Sequence, residues 1–379
     1  MEEVKSLTLK PREERRLQRG HLWVYRNELE RDPLLPDGAV VDVFTDARRF
    51  VGRGFYQAAG GIAARLLSRR QEEIDEGFFR ARLAAAQAWR ARIFPGEDVY
   101  RMVFGESDGL PGLVVDRYGP LAVAHAACAF YRRFQEALLP LLGEIAGVRG
   151  VIVEMQGTRA HHGEVHTPLE VAMEGVRLEL DLREAQKTGL FLDQRWNSRE
   201  IRRYAAGAAV LDGHCYHGIW TCHAALGGAA AVTAVDTSAP AVEQARRNAA
   251  LNGVTDKCTF HCGDVEELLK ANQYDVVVLD PPAFAKSRAQ TKKALSRYQA
   301  LNTNAMKALA PGGILITSSC SHFVSAEEFL EVLKRAAAAA HRQTWLLGMH
   351  GAAPDHPVLV QMPETRYLKC AMMRVGDKG

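Results

Sequence analysis

The sequence lacks several features that mark particular classes of protein. It has no run of about 18 uncharged apolar residues, as a membrane-spanning helix requires, and its first residues lack the apolar core of a secretory signal. Cysteines number only 7, an odd and mostly scattered set that favours reduced thiols over a disulfide framework. Lys and Arg (48) barely exceed Asp and Glu (45). These absences predict a cytoplasmic protein with no membrane partner.

Length and composition indicate a folded protein with more than one domain. A chain of 379 residues exceeds the size of an ordinary single domain. Its 47% hydrophobic and 25% charged residues match average globular usage. We therefore expect two or three domains, each with its own core.

Positive charge is concentrated at the start of the chain. Residues 1–70 hold 14 Lys or Arg against 10 Asp or Glu. Within them, Arg15, Arg16 and Arg19 lie close to Trp23. Basic groups neutralise phosphates and aromatic faces stack on unpaired bases. The stretch predicts an RNA contact, the alternative being a solvated basic helix beside a core tryptophan.

The first half of the chain predicts a barrel and a small α/β part. Short β-branched or aromatic runs at 38–44, 50–56 and 62–67 favour a small β-barrel. A charged, Ala-rich helix is expected from about Glu72 to Ile93. Further strands are expected at 100–104, 113–117, 121–126 and 151–154, with a helix at about 131–145.

From about residue 182 strands and helices alternate, which is typical of a parallel sheet with helical crossovers. Five strands are expected, at 209–212, 231–236, 258–261, 274–280 and 313–317. We therefore predict an α/β protein divided into domains 1–71, 72–181 and 182–379, the last being Rossmann-like.

Acidic residues end several of these strands and should line one crevice. They are Asp212, Asp236 and Asp280, and Asp264 follows the third strand. Ligands of open α/β sheets bind at the carboxyl ends of the strands, and an acid about 20 residues after the first strand hydrogen-bonds ribose. The loop that contains Gly218 lacks the G-x-G-x-x-G needed to approach a pyrophosphate. The pattern favours an adenosine ligand without phosphate.

Several segments together resemble one known family. They are Gln186-Lys-Thr-Gly-Leu-Phe-Leu-Asp-Gln-Arg, Val235-Asp, Asn248-Ala-Ala-Leu-Asn-Gly, Leu279-Asp-Pro-Pro-Ala-Phe-Ala-Lys-Ser, Ser318-Ser-Cys-Ser-His, and Pro354-Asp-His-Pro-Val with Arg366-Tyr-Leu-Lys-Cys. The resemblance is to the ribosomal RNA large-subunit methyltransferase I family, and it spans nearly the whole chain. It implies an S-adenosylmethionine-dependent RNA cytosine-5 methyltransferase acting on large-subunit (23S) ribosomal RNA.

The resemblance also implies an architecture and further site residues. The fold would be an N-terminal PUA β-barrel, a small central α/β domain and a class I methyltransferase domain. Asp193 and Gln194 would join Asp212, Gly218, Asp236 and Asp264 in binding the cofactor, and a homodimer is expected. The family's loop, Asp-Leu-Phe-Cys-Tyr-Thr-Gly-Gly-Phe, differs here, since Ile219 replaces its second Gly. If that Gly needed a positive φ, the loop must bend differently.

Cytosine C5 is a poor nucleophile, so an enzyme that methylates it must first raise its electron density. Addition of a thiolate to C6 does this, and Cys320, just after the fifth strand, is the predicted nucleophile. Asp280 is expected to donate to cytosine N3, held by the rigid Pro281 and Pro282. The segment after Asp280 is expected to contact substrate RNA through Pro281, Phe284 as a stacking platform and Lys286 on phosphate.

Three other hypotheses remain open at this stage. His214, Cys215 and His217 cluster near Cys222, but their spacing is not that of a recognised zinc site, so no metal is expected. A non-enzymatic RNA-binding protein with a decayed cofactor loop would explain the altered loop. An RNA N-methyltransferase would explain Asp280-Pro-Pro and would need no thiol.

Overall fold

A computed structural model describes residues 4–183 and 188–377 of the chain. Gln186 and Lys187, which begin the first resemblance segment, lie outside the described residues. The chain forms two compact units. Unit 1 is Met1–Leu169, Asp181–Gly189 and Pro354–Thr365, and unit 2 is Glu170–Leu180, Leu190–Ala353 and Arg366–Gly379. The division into three domains stays a prediction.

Unit 1 begins with a five-stranded sheet. Its strands are β1 (Lys5–Thr8), β2 (Trp23–Tyr25), β3 (Val40–Phe44), β4 (Phe50–Tyr56) and β5 (Ile62–Ser68), in the order β1-β3-β4-β5-β2. The three predicted β-runs are confirmed as β3, β4 and β5. Leu7, Val24 and Val41 are fully buried between them. The basic stretch forms only a five-residue helix, α1 (Glu14–Gln18).

A second sheet follows in unit 1. It is built from β6 (Val99–Phe104), β7 (Leu113–Tyr118), β8 (Leu121–Ala126), β9 (Gly150–Met155) and β10 (Thr158–Gly163), in the order β10-β9-β8-β7-β6. Helices α2 (Glu76–Ile93) and α3 (Gln135–Ala146) flank it. The predicted start of α2 at Glu72 is four residues early, because Asp75 caps the helix by accepting from the backbone N–H of Phe78.

The two sheets of unit 1 have separate core clusters that meet where two barrel residues pack against the second sheet. Phe55 of β4 stacks on Phe130 with ring centroids 4.5 Å apart, and Leu67 of β5 lies in the same apolar cluster as Phe79 of α2. Stacked and edge-on aromatic pairs stabilise a core beyond the area that they bury. The barrel therefore has a core of its own but also packs against the second sheet.

Unit 2 contains a hairpin, β11 (Leu169–Met173) and β12 (Val176–Leu180), and a seven-stranded sheet. The sheet's order is β15-β14-β13-β16-β17-β19-β18. Its strands are β13 (Ala209–Gly213), β14 (Ala231–Asp236), β15 (Cys258–Cys262), β16 (Tyr274–Leu279), β17 (Leu309–Ser319), β18 (Arg342–His350) and β19 (Lys369–Asp377). The helices are α4 (Arg195–Glu200), α5 (Arg202–Ala205), α6 (Ile219–Leu226), α7 (Ala239–Leu251), α8 (Thr291–Ala308) and α9 (Ala326–Ala339).

The first five strands of this sheet run parallel, and β19 and β18 add an antiparallel end. The predicted Rossmann-like α/β class is confirmed. Strand order reverses between β13 and β16, which creates a crevice at the carboxyl ends of the two strands. None of the helices within 4–183 and 188–377 has the length and apolarity needed to cross a bilayer.

Candidate active site

The crevice of unit 2 is lined by groups that end or follow its central strands. Asp236 ends β14, Asp280 follows β16, and Cys320 follows β17. Because β14, β13, β16 and β17 are parallel neighbours, these residues lie at one edge of the sheet. Asp236, Asp280 and Cys320 thus lie at one edge of the sheet, as their positions after the strands predicted.

The loop between β13 and α6 is tightly wound. His214, Tyr216 and Gly218 all have positive φ, of 64°, 47° and 77°. A Cβ at Gly218 would lie 2.9 Å from the Ala245 Cβ, so glycine is required there by space as well as by backbone conformation. Ile219, by contrast, is the first residue of α6. The missing second Gly of the family loop therefore imposes no left-handed strain.

Asp236 holds this loop and still reaches solvent. Its Oδ2 accepts from the Tyr216 backbone N–H (3.1 Å) and its Oδ1 from that of Ser238 (2.9 Å). Asp264 is exposed after β15, where its Oδ1 accepts from the Glu266 backbone N–H (3.0 Å). Two carboxylates at adjacent strand ends suit the hydroxyl and amino groups of an adenosine.

Asp212 does not line the crevice as expected. Its side chain is fully buried, and its Oδ2 accepts from the Thr221 hydroxyl of α6 (2.6 Å). Burial raises the pKa of Asp212 to about 7. The observed contact joins strand to helix beneath the loop, so a direct cofactor role for Asp212 stays a prediction.

Asp280 is clamped by two donors. The Gln194 Nε2 donates to its Oδ1 (2.9 Å) and the Trp220 Nε1 to its Oδ2 (3.2 Å). Gln194 also donates to the Ser318 hydroxyl of β17 (2.9 Å). Burial, and then the nearby charge of Asp193, raise the pKa of Asp280 to about 6, although these hydrogen bonds oppose the shift. The group is thus able to bear a proton near neutral pH.

Sequence reasoning missed Trp220 and Ser318 as partners of Asp280 and assigned Gln194 to the cofactor. Gln194 is buried, and its Oε1 also accepts from the Asn197 side chain (2.7 Å). The one available signal was Trp220 itself, whose indole N–H needs a partner when buried. Gln194 positions Asp280 in this structure, and its cofactor role stays a prediction.

Among the buried polar atoms near the crevice that have no hydrogen-bond partner in the described residues are Asp193 Oδ1 and His214 Nε2, and Asp212 Oδ1 and His217 Nδ1 share this property. The other Asp193 oxygen accepts from the Tyr367 hydroxyl (2.5 Å). Buried polar groups rarely stay unpaired unless a ligand or water completes them. Together with Asp236, Asp264 and the Gly218 turn, these atoms fit a polar adenosine ligand.

Cys320 lies next to the clamp on Asp280. Its Sγ is partly exposed and lies 3.9 Å from the backbone oxygen of Pro281. The neighbouring Lys369 is buried, and its Nζ donates to the backbone oxygens of Ser321 (2.7 Å) and Tyr367 (2.8 Å). The predicted nucleophile and the predicted acid thus follow adjacent strands.

The segment after Asp280 contains both buried and exposed side chains. Pro281 is buried and Lys286 is exposed. The Phe284 ring packs on Tyr298 at 4.5 Å and lies under the Arg297 guanidinium at 4.3 Å. A base that stacked on Phe284 would have to displace Arg297 or share the ring with it, so the RNA roles of these residues stay predictions.

The N-terminal basic cluster divides into structural and exposed groups. Arg16 pairs with Glu28 (2.6 Å) and lies over the Tyr25 ring. Trp23 donates to the Glu106 carboxylate (2.7 Å). Arg15 and Arg19 are exposed, and of the predicted RNA contacts in unit 1 they are the most accessible. Across the described parts of the chain, no group of three or more His, Cys, Asp or Glu has a metal-binding arrangement.

Comparison with known proteins agrees with this geometry. Residues 7–69 match a PUA-like domain, and residues 158–357 match an S-adenosylmethionine-dependent methyltransferase family. A solved S-adenosylmethionine-dependent methyltransferase from Streptococcus mutans superimposes with a TM-score of 0.87 at 20% identity, covering 98% of this chain and 100% of its own. Another solved methyltransferase, complexed with SAH, gives a TM-score of 0.88 at 21% identity, with the same coverage.

Two relatives named ribosomal RNA large subunit methyltransferase I match almost end to end. The one from Shewanella amazonensis is 36% identical over 97% of this chain and 99% of its own length, and the one from Klebsiella pneumoniae is 34% identical over 97% and 98%. The cofactor is S-adenosylmethionine, as the family match and the crevice both indicate. The chain belongs to the ribosomal RNA large subunit methyltransferase I family, with a PUA-like domain followed by an S-adenosylmethionine-dependent methyltransferase.

Proposed function

We propose that this protein methylates C5 of a cytosine in large-subunit (23S) ribosomal RNA, through a covalent bond between Cys320 and the base. The observation that carries the proposal is the placement of Cys320 and Asp280 after adjacent parallel strands, with the Cys320 Sγ beside the Pro281 backbone oxygen. The names of the full-length relatives supply the RNA class.

The chemistry begins with the Cys320 sulfur. Its thiolate forms a bond to C6, the C5–C6 π pair becomes a C4–C5 double bond, and the C4–N3 π pair moves onto N3, where Asp280 supplies a proton. C5 then has the electron density of an enamine carbon. S-adenosylmethionine, when bound, supplies the methyl group as an electrophile and keeps the sulfur electron pair.

The remaining steps restore the ring. A base takes the C5 proton, the C5–H pair re-forms the C5–C6 double bond, and the S–C6 bond breaks with its pair returning to Cys320. The proton on N3 returns to Asp280. A pKa of about 6 suits Asp280 to both halves of this cycle, since neither protonation state is strongly disfavoured near neutral pH.

RNA containing 5-fluorocytidine at the target tests the proposal. Methyl transfer can proceed, but the fluorine at C5 cannot leave as a proton, so the Cys320 sulfur cannot be expelled and should stay bonded to the RNA. We expect a slow-migrating adduct on a denaturing gel, dependent on S-adenosylmethionine, and mass spectrometry should locate it on the Cys320 peptide.

Two variants sharpen this test. Cys320→Ala should abolish both adduct and turnover, whereas Cys262→Ala, which removes an exposed thiol on β15, should keep both. Methylation that persists in Cys320→Ala would contradict the proposal and favour N-methylation. Binding of RNA and cofactor without any transfer would favour the non-enzymatic alternative.

A further inference from the structure

Lys369 is a buried cation that the proposed chemistry does not use. It is the first residue of β19 and pairs with Ser319, the last residue of β17 and the neighbour of Cys320. Only 4% of its surface is exposed. A buried ammonium without a compensating group is costly, so its environment needs an explanation.

The contacts of Lys369 supply two neutral acceptors and no carboxylate. Its Nζ donates to the backbone oxygens of Ser321 and Tyr367, and within the described ranges no acidic side chain lies within hydrogen-bond or ion-pair distance of it. An ammonium has three N–H donors, so one donor remains available after these two bonds. The acceptor Ser321 directly follows Cys320.

Charge interactions connect Lys369 to Cys320 more strongly than to any carboxylate. Burial lowers the pKa of Lys369 to about 8, and the Cys320 thiolate is the largest influence opposing that shift, ahead of Glu328 on α9. Tyr298 on α8 also faces the sulfur, and burial raises the pKa of Tyr298. Of the four groups Lys369, Cys320, Glu328 and Tyr298, Lys369 is the one that carries positive charge.

We propose that Lys369 is a positioning residue for Cys320: its buried ammonium favours the thiolate form of the sulfur and, through the Ser321 carbonyl, holds the turn that presents it. The thiol S–H bond breaks with its electron pair staying on sulfur, and the proton passes to solvent. Opposite charge near a cysteine is the usual means of raising its thiolate fraction. The inference rests on the proposed function only in assigning that thiolate to cytosine C6.

The rate of alkylation measures the thiolate fraction of Cys320 without RNA or cofactor. Full-length protein is treated with iodoacetamide across a pH series, and modification of the Cys320 peptide is followed by mass spectrometry. Lys369→Gln keeps an N–H donor but removes the charge, so the titration midpoint of Cys320 should rise by about one pH unit, lowering its thiolate fraction at pH 7 about tenfold. Lys369→Arg keeps the charge and should retain the midpoint. Cys262 in the same samples is the control thiol.

An unchanged Cys320 midpoint in a folded Lys369→Gln protein would overturn the inference, as would an equal shift in Lys369→Arg. If neither variant folds, the reciprocal measurement decides. Interaction between two titrating groups is mutual, so Cys320→Ser should lower the Lys369 midpoint, observed by NMR of 13Cε-labelled lysine. An unchanged Lys369 midpoint there would equally overturn it.

The outcomes separate this inference from the proposed function. A shifted Cys320 midpoint without a 5-fluorocytidine adduct would support the Lys369 assignment and contradict cytosine-5 chemistry. An adduct on Cys320 with an unshifted midpoint would support cytosine-5 chemistry and contradict the Lys369 assignment.

Discussion

Two carboxyl groups at neighbouring strand ends, Asp212 and Asp280, lie where burial disfavours their charged forms. Their pKa values are raised to about 7 and about 6. For an acid whose pKa is raised by folding, the associated stability is present below the unfolded value and is lost as pH rises through the folded value. Both groups should therefore make the protein less stable as pH rises from about 4 to 7.

Asp212→Asn should remove part of this loss. At pH 8 the buried charge costs up to about 4 kcal/mol, from about three pKa units at 1.36 kcal/mol each, and the neutral amide avoids it. We expect a gain of about 1–4 kcal/mol in unfolding free energy at pH 8 and little or none at pH 4, measured by urea denaturation. Asp264→Asn, at an exposed site, is the control. A pH-independent effect of Asp212→Asn would show that burial does not set its pKa.

Asp236→Asn should weaken cofactor binding. The carboxylate accepts the Tyr216 backbone N–H of the crevice loop and the Ser238 backbone N–H before α7, so loss of its charge should loosen the loop and weaken the hydrogen bonds that we propose it makes to ribose. Calorimetry with S-adenosylmethionine should show a loss of about 1–3 kcal/mol. Asp256→Asn, exposed and remote from the crevice loop, should bind as the unmodified protein does. Equal affinities for all three proteins would exclude Asp236 as the ribose ligand.

At the scale of single residues, the sequence predicted which side chains follow the strands at one edge of the sheet, and their catalytic roles stay predictions. Asp280 and Cys320 could be found because each follows an apolar strand. The sequence could not reveal the contacts of Trp220, Ser318 and Lys369. These contacts depend on side chains that α6, β17 and β19 bring together only in the folded protein.

Among the helices and strands, the basic segment around α1 gives the clearest prediction, which is that it contributes to RNA binding. Arg15 and Arg19 are exposed, whereas Arg16 is held by Glu28. Arg15→Ala with Arg19→Ala should weaken RNA binding and reduce the slope of log affinity against log salt by about 0.7–0.9 for each phosphate that the variant no longer neutralises. Cofactor affinity should not change.

The matched control for this pair is Lys334→Ala with Arg335→Ala, two exposed cations on α9. Fluorescence anisotropy with a ribosomal RNA fragment at several salt concentrations distinguishes the pairs. Equal salt slopes for both double variants would place the RNA contact elsewhere. Point substitutions are preferable to deleting the barrel, because Phe55 and Leu67 of the barrel pack in the apolar cluster of the second sheet.

Prediction of strands from the sequence succeeds in the parallel part of the unit 2 sheet. The five parallel strands of unit 2 are apolar runs with clear boundaries, and all five were predicted. Strands β18 and β10 were missed because they lie at sheet edges and expose much of their length, so they lack the apolar alternation that marks a half-buried strand. Strand β19 pairs with both β17 and β18 from a position late in the chain, which no local pattern reveals.

For the whole molecule, the most consequential contact is an ion cluster inside unit 1. Arg90 of α2 is fully buried and bonds both oxygens of Asp108 (2.6 and 2.8 Å). It also donates to the backbone oxygen of Asp355 (2.7 Å), and the Asp355 carboxylate accepts from the Arg101 backbone N–H (2.9 Å). These bonds join the segment Pro354–Thr365 to the helix and strand of unit 1.

Arg90→Met should therefore destabilise unit 1 strongly. It removes the charge partner of Asp108 and the Arg90 hydrogen bond to the Asp355 carbonyl, and breaking a buried pair from one side costs about 3–5 kcal/mol. Differential scanning calorimetry should show an earlier transition, with Arg80→Met, at an exposed pair, as the control. Arg90→Met with unchanged melting would mean that the cluster is not needed for stability.

The discontinuity of unit 1 also bears on how the protein is made. A ribosome releases the chain in sequence order, so the barrel and the second sheet emerge long before Asp355. The hydrogen bonds that Arg90 and Arg101 make to Asp355 cannot form until most of unit 2 has been synthesised. The amino-terminal part of the molecule thus reaches its finished form only once Asp355 has emerged, shortly before β19 completes the catalytic sheet.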